Sequence, residues 1–281
     1  MKANLVDLTG KKVKEIELPS QFDSDYRPDL IKRAVLAIQS HLRQAYGAKE
    51  GAGMRHSAEL SRRRRKYRGS YGKGISRVPR KIMTRRGTQF NWTAALAPCV
   101  VGGRRAHPPK AEKVYAQKIN ITERRYAIRS AIAATVDKKL VAKRGHIIPD
   151  TYPFVIDTKF EAVKKTAEAK KVLSALGLDK ELERASVKTV RAGKGKNRSR
   201  RYKRRTGPLI VVSNKCDLNK SLFNVPGIDI ITVDSINTEL LAPGTAPGRL
   251  TLWTEKAIEK LDKEKLFTNV KVSHAKIEDK K

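Results

Sequence analysis

The stretch TYPFVIDTKFEAVKKTAEAKKVLSALG, residues 151–177, decides how the fold is read. Phe154, Val155 and Ile156 form an apolar run between Pro153 and Asp157, too short for a helix, so it reads as a strand buried on both faces. Residues 159–176 then carry alanines and straight-chain residues at helical spacing up to Gly177, and they read as one helix. The alternation continues C-terminally with strands at 209–212, 228–233 and 250–253, the last feeding a helix over 255–261. Strands buried on both faces and alternating with helices imply a parallel sheet joined by right-handed crossovers. The expected fold class is α/β, a three-layer globular domain with a mainly parallel sheet.

Toward the N-terminus, two short extended runs, 4–8 and 12–18, precede a helix that begins near Asp25. It tolerates Pro28 in its first turn and carries Ile31, Ala34, Val35, Ile38, Leu42 and Ala45 on one stripe before Gly47. A second helix starts at Asn120, placed to cap it with Glu123 reaching back, and its stripe of Ile128, Ala131, Ile132, Thr135 and Leu140 runs to Gly145.

Between these two helices the composition changes. The whole chain has 62 Lys and Arg against 28 Asp and Glu, a net charge of +34. From Arg43 to Lys110 there are 18 basic residues and two acids, and from Lys188 to Arg205 ten basic residues and no acid. Long like-charge blocks repel themselves and order against an opposite charge, which points to a nucleic acid. The first arm is punctuated by glycines and prolines and is expected to be a long irregular basic extension loop. His56, Tyr67, Tyr71, Phe90, Trp92 and His107 are interleaved with its bases. Planar groups stack on unpaired bases while Arg bridges phosphates, a mix suited to folded RNA.

The candidate contacts in the first arm are Arg62, Arg63, Arg64, Arg65, Lys66, Tyr67, Arg68, Lys73, Arg77, Arg80, Lys81, Arg85, Arg86, Trp92, Arg104, Arg105, His107 and Lys110. Those in the second are Arg191, Lys194, Lys196, Arg198, Arg200, Arg201, Lys203, Arg204 and Arg205. The expected organisation is a globular domain from 1–46 and 111–262 carrying a basic clamp loop at 188–206, an extended loop at 47–110, and a charged tail at 263–281 that docks or stays disordered.

Catalytic readings fail on spacing. Asn214-Lys215-Cys216-Asp217 follows a strand and resembles the guanine-reading NKxD motif of GTPases. That chemistry also needs a GxxxxGK[ST] phosphate cradle, and none of Gly10-Lys11, Gly72-Lys73, Gly193-Lys194 or Gly195-Lys196 is followed by Ser or Thr. Cys99 and Cys216 are too far apart in sequence for a redox pair and read as packing residues, and the five histidines lack metal-ligand spacing. No apolar run spans a bilayer, and Met1 to Leu8 lacks the core of a secretion signal. No enzyme activity, cofactor, metal, membrane or small-molecule substrate is expected. The alternatives to a structural role are a guanine-nucleotide-binding regulator and a free RNA chaperone.

GRRAHPPK at 103–110 leading to NITERRYAIRSAIAAT at 120–135, RAGKGK at 191–196, RRTGP at 204–208, LAPG at 241–244, PGRL at 247–250 and WTE at 253–255 together resemble the family of the fourth large-subunit ribosomal protein, in its archaeal and eukaryotic branch. The resemblance covers about residues 1–263. It implies a cytoplasmic, non-catalytic constituent of the large ribosomal subunit, with large-subunit rRNA and neighbouring large-subunit ribosomal proteins as partners. It also implies that the arm penetrates the rRNA and helps line the polypeptide exit tunnel. The family's Gly-x-Gly and Val-Pro-basic turn corresponds to Gly72, Gly74, Arg77, Val78, Pro79 and Arg80 as the tunnel-facing tip, while 62–66 and 83–101 depart from the family pattern.

Overall fold

A computed structural model describes residues 1–268. Its strands are β1 (Lys2–Val6), β2 (Lys12–Glu17), β3 (Ala58–Glu59), β4 (Arg80–Arg86), β5 (Gln89–Ala94), β6 (Phe154–Ile156), β7 (Lys188–Val190), β8 (Tyr202–Arg204), β9 (Leu209–Val212), β10 (Asp229–Thr232) and β11 (Thr251–Thr254). Its helices are α1 (Pro28–Leu42), α2 (Ile121–Val136), α3 (Lys138–Lys143), α4 (Thr166–Ala175), α5 (Asp179–Ser186), α6 (Leu218–Leu222), α7 (Thr238–Leu241) and α8 (Glu255–Lys263). The described residues divide into two compact units, one of 1–41 with 117–268, the other Leu42–Ala116.

The first unit is built on a six-stranded sheet of order β10-β9-β11-β6-β1-β2, parallel except for the edge strand β2. Every residue of β6, β9 and β11 is buried, so both faces need a covering layer. Val155, Leu209, Val211 and Trp253 share one core with Val35, Ile132 and Ile258 of α1, α2 and α8. Phe154, Ile156, Ile210, Val212 and Leu252 point the other way, against Leu173 and Leu222 of α4 and α6. The result is the three-layer α/β arrangement expected from the apolar runs.

Four local readings change. The helix over 159–176 is broken: Thr158–Ala162 is a tight 3-10 turn and α4 begins only at Thr166. Asp157 caps that turn by accepting from the Lys159 N–H, and the Glu161 carboxylate is bound to two strand ends, so this stretch cannot wind on into α4. The helix expected over 120–145 stops at Asp137, whose side chain accepts from the Lys139 N–H at 2.8 Å and starts α3. Asn120 caps nothing with its side chain, and Glu123 instead meets Arg33 at 2.9 Å. α1 ends at Leu42, which is exposed, because its apolar stripe has no core to bury against beyond that point. Cys99, expected to pack, is exposed, and Cys216 is half-buried.

Leu42–Ala116 is less irregular than its Gly and Pro content implies. β4 and β5 form an antiparallel hairpin, Arg80 facing Ala94 and Arg86 facing Gln89, with β3 added on its other edge. A two-residue link, Gly87-Thr88, closes it, and Gly87 takes the positive φ of +57° that such short links require. Gly47 fits against Ala111, where a Cβ would stand 2.6 Å from the Ala111 nitrogen, and the Ala48 N–H donates to the Pro109 carbonyl at 3.0 Å. The two ends of this unit are therefore fastened together.

The second basic arm is a ribbon rather than a loop. β7 and β8 pair antiparallel, Lys188 opposite Arg204 and Val190 opposite Tyr202, around a 3-10 tip at Gly193–Arg198. Of the tail expected at 263–281, residues 269–281 lie outside the described residues.

Candidate nucleic-acid interface

In Leu42–Ala116 the hairpin organises the aromatic residues. Phe90 and Trp92 sit two apart on β5 and thus on one face. Tyr67 stacks on Phe90 with centroids 5.8 Å apart, and Phe90 on Trp92 at 5.5 Å. Cations flank this ladder: Arg85 lies 5.7 Å from the Tyr67 ring and 5.8 Å from Phe90, Arg68 5.7 Å from Tyr67, and Lys73 and Arg80 5.5 Å and 5.7 Å from Trp92. Each is within the reach of a cation–π contact, which holds the cationic group beside the ladder.

Arg62, Arg63, Arg64, Arg65 and Lys66 are all exposed on a turn closed by a bridge between Ser61 and Gly69. Among the described residues, the one ion pair of this unit joins Arg68 to Glu59, at 3.6 Å. Gly72 and Gly74 stand in an open turn with nothing within 4 Å of where a Cβ would be, and the Lys73 ammonium donates to the Tyr67 carbonyl at 2.7 Å. Arg77 lies 5.7 Å from the Tyr71 ring, and Arg80 donates to the Ser76 carbonyl and hydroxyl at 3.2 and 3.0 Å. Lys81 and Arg86 lie on β4, and Pro79 accepts from the Ala95 N–H at 2.9 Å. Arg105, His107 and Lys110 line a separate open cavity of about 620 Å³ with Tyr46, Glu112 and Tyr115, while Arg104 packs against Gly53.

Sequence reasoning missed part of this surface. Arg43 lies 4.1 Å from the Tyr115 ring and 5.6 Å from Tyr46, and the two tyrosines stack at 6.0 Å. The missed signal was the matched Tyr near each end of the unit.

On the ribbon, Arg191, Lys194, Lys196, Arg198, Arg200, Arg201, Lys203, Arg204 and Arg205 are all exposed. Tyr202 carries Lys188 at 3.8 Å and Arg201 at 5.5 Å. The root of the ribbon, in contrast, is buried and hydrogen-bonded. Arg184 donates to the Thr206 carbonyl at 2.7 Å and pairs with Glu181 at 2.6 Å, and His146 Nδ1 meets the same carboxylate at 2.6 Å. Burial alone would raise the Glu181 pKa, but donation from Arg184, His146 and the Ile147 N–H outweighs it and holds the carboxyl at about 2. Burial pushes His146 below its ordinary value. Arg249, 1% exposed, donates to the Gly207 carbonyl at 2.9 Å and the Leu240 carbonyl at 3.0 Å and pairs with Asp229.

At the carboxyl end of β9, the NKxD-like segment is committed to internal contacts. Glu161 accepts from the Ser213 N–H at 2.9 Å, the Ser213 hydroxyl at 2.8 Å and the Thr254 hydroxyl at 2.6 Å. Lys260 donates to Asn214 at 3.1 Å and pairs with Asp234 at 2.6 Å, and Asp217 pairs with Lys164 at 3.6 Å. A base reader needs Asn214 and Asp217 free.

With cations concentrated on a stacked-aromatic unit and on a ribbon, and nucleotide chemistry displaced, the comparison with known proteins is decisive. The model of the ribosomal protein L4/L1 family matches residues 16–264. The chain belongs to the ribosomal protein L4/L1 family. Similar L4/L1 relatives include the large ribosomal subunit protein uL4 of Nanoarchaeum equitans, 52% identical over 95% of this chain and 100% of that protein. The uL4 proteins of Archaeoglobus fulgidus and Methanococcoides burtonii are 45% and 46% identical, over 93% and 92% of this chain and 98% and 97% of their own lengths. The family resemblance read from the motifs is correct, and L4/L1 proteins are ribosomal structural proteins, not enzymes. Among the described residues no helix is long and apolar enough to cross a membrane, and no cluster of His, Cys, Asp and Glu could hold a metal ion.

Proposed function

We propose that the chain is a cytoplasmic structural constituent of the large ribosomal subunit that binds large-subunit rRNA and stabilises its folding during assembly. The carrying observation is the concentration of exposed, acid-poor cations around stacked rings in Leu42–Ala116 and along the ribbon Lys188–Arg204. Each arm neutralises phosphates where RNA strands converge, releasing counterions, while the guanidinium forks hold orientation. In this reading 47–110 is the rRNA-penetrating arm, 188–206 a clamp on the body formed by 1–46 and 111–262, and the turn with Gly72, Gly74, Arg77, Pro79 and Arg80 faces the polypeptide exit tunnel. Neighbouring ribosomal proteins are further partners.

The test is the salt dependence of binding to an rRNA fragment. Contact with about ten phosphates predicts a log–log slope of roughly −7 to −9. A binding curve nearly flat in salt overturns the electrostatic mechanism. Retention on large subunits through a high-salt wash distinguishes a resident component from a free RNA chaperone, and nucleotide-resolution crosslinking on intact subunits tests the tunnel-facing turn.

A further inference from the structure

A cavity of about 190 Å³ lies within Leu42–Ala116 between Ser57, Glu59, Arg68, Arg80, Ile82 and Trp92. Trp92 and Ile82 give it apolar walls. Arg68 and Arg80 also line it and carry guanidinium donors. Glu59 is the third feature. It is one of only two acids between Arg43 and Lys110, its side chain is 75% exposed, and its pairing with Arg68 is loose at 3.6 Å. On a face that meets phosphates a carboxylate is repulsive unless the ligand brings donors to it.

The volume equals about six waters at roughly 30 Å³ each, room for one planar ring system but not for its sugar and phosphate as well. We infer that this cavity takes a single unpaired guanine of the RNA. Guanine offers two adjacent donors, N1–H and the N2 amine, to one carboxylate, and O6 and N7 acceptors to guanidinium groups. Adenine, cytosine and uracil present no such donor pair. Reaching the Watson–Crick edge requires the base to be unpaired, and Trp92, which lines the cavity, offers the aromatic contact that such bases seek. Glu59 then has a purpose on a cationic surface: it selects one base where the surrounding Lys and Arg bind phosphate without regard to sequence. The inference rests on the RNA-binding reading above.

The experiment uses the full chain and four end-labelled single-stranded RNAs, UUGUU, UUAUU, UUCUU and UUUUU, with affinity read by fluorescence anisotropy at constant salt. The guanine probe binds about tenfold tighter than the others, as one good bidentate contact predicts. Glu59→Ala abolishes that margin while UUUUU binds as well as before or better, since a negative charge has gone. Glu59→Gln, which keeps one acceptor, narrows the margin without abolishing it. Equal affinities for the four probes, or a margin that survives Glu59→Ala, overturns the guanine site. An rRNA fragment titrated in parallel separates the two ideas. If it binds with a steep salt slope while the probes tie, only the guanine site falls; if it does not bind, the RNA reading itself falls.

Discussion

Arg249→Met separates the arginine that holds the fold from those that face outward. Arg249 lies just ahead of β11 and fastens three distant segments: the Gly207 carbonyl before β9, Asp229 at the start of β10, and the Leu240 carbonyl in α7. Methionine keeps much of the buried stem and removes every donor. Two charge-assisted bonds to carbonyls are lost, at about 1.5–3 kcal/mol each, which gives about 3–6 kcal/mol. Asp229 adds little, because its side chain is 54% exposed and rehydrates when its partner goes. For a chain of this size about 2–4 °C is lost per kcal/mol, so Tm should drop by about 6–24 °C. Thermal unfolding followed by circular dichroism, with Arg62→Met as the exposed control, reads the difference. A Tm loss under about 3 °C, or an equal loss in the control, refutes the assignment of Arg249 to the core.

Replacing Arg62, Arg63, Arg64, Arg65 and Lys66 together by Ser should flatten the salt slope for an rRNA fragment by up to about 4 and leave Tm unchanged, since these side chains are exposed; filter binding and calorimetry read the two quantities. Acid should destabilise the root of the ribbon. Glu181 and His146 both have folded-state pKa values below their ordinary ones, so their contributions are full above about pH 4.5 and 6.5 respectively and are lost as pH falls, Glu181 toward 2. Urea unfolding between pH 7 and 3 should show stability falling steadily, and Glu181→Gln should flatten the limb below pH 4.5. Gly207→Ala places a Cβ 2.7 Å from the Gly227 carbonyl and 3.0 Å from the Ala185 Cβ, a clash with backbone that should cost about 1–3 kcal/mol in equilibrium unfolding. Calorimetry with GTP should give no heat, because the chain has no GxxxxGK[ST] cradle to hold the phosphates.

The parts of the fold legible in sequence are those where one property repeats without interruption. β6 and β9 were readable because every side chain in them is apolar, and two such runs separated by helical spacing already imply a parallel sheet. The β4–β5 hairpin was hidden because Arg and Lys stand at both ends of β4 and dilute its alternation, and the informative pair, Phe90 and Trp92, sits on one strand only. Glu161 broke an otherwise persuasive helix through bonds to Ser213 and Thr254, residues that only the folded sheet brings near. Arg249 was illegible for the same reason. In a Pro-Gly-Arg-Leu string it reads as surface, and its burial depends on carbonyls contributed from residues 207 and 240. The basic surface needed no folding to be seen, since charge blocks survive in one dimension; its aromatic ladder, which joins Tyr67 to Phe90 on the second strand of the hairpin, did.

The parallel pairing of β1 with β6 has a consequence for the order of events in synthesis. Asn4 and Val6 lie beside Phe154 and Ile156, and β6 in turn needs β11, formed by Thr251–Thr254. Leu42–Ala116 leaves the synthesising machinery well before either partner strand exists. At 5–20 residues per second the interval from the start of that unit to the end of β11 is roughly 10–40 s. For that time a nascent polycation is presented while the sheet that will carry it is still missing its centre. An anion that reaches the chain in that interval meets Leu42–Ala116 before the sheet is complete.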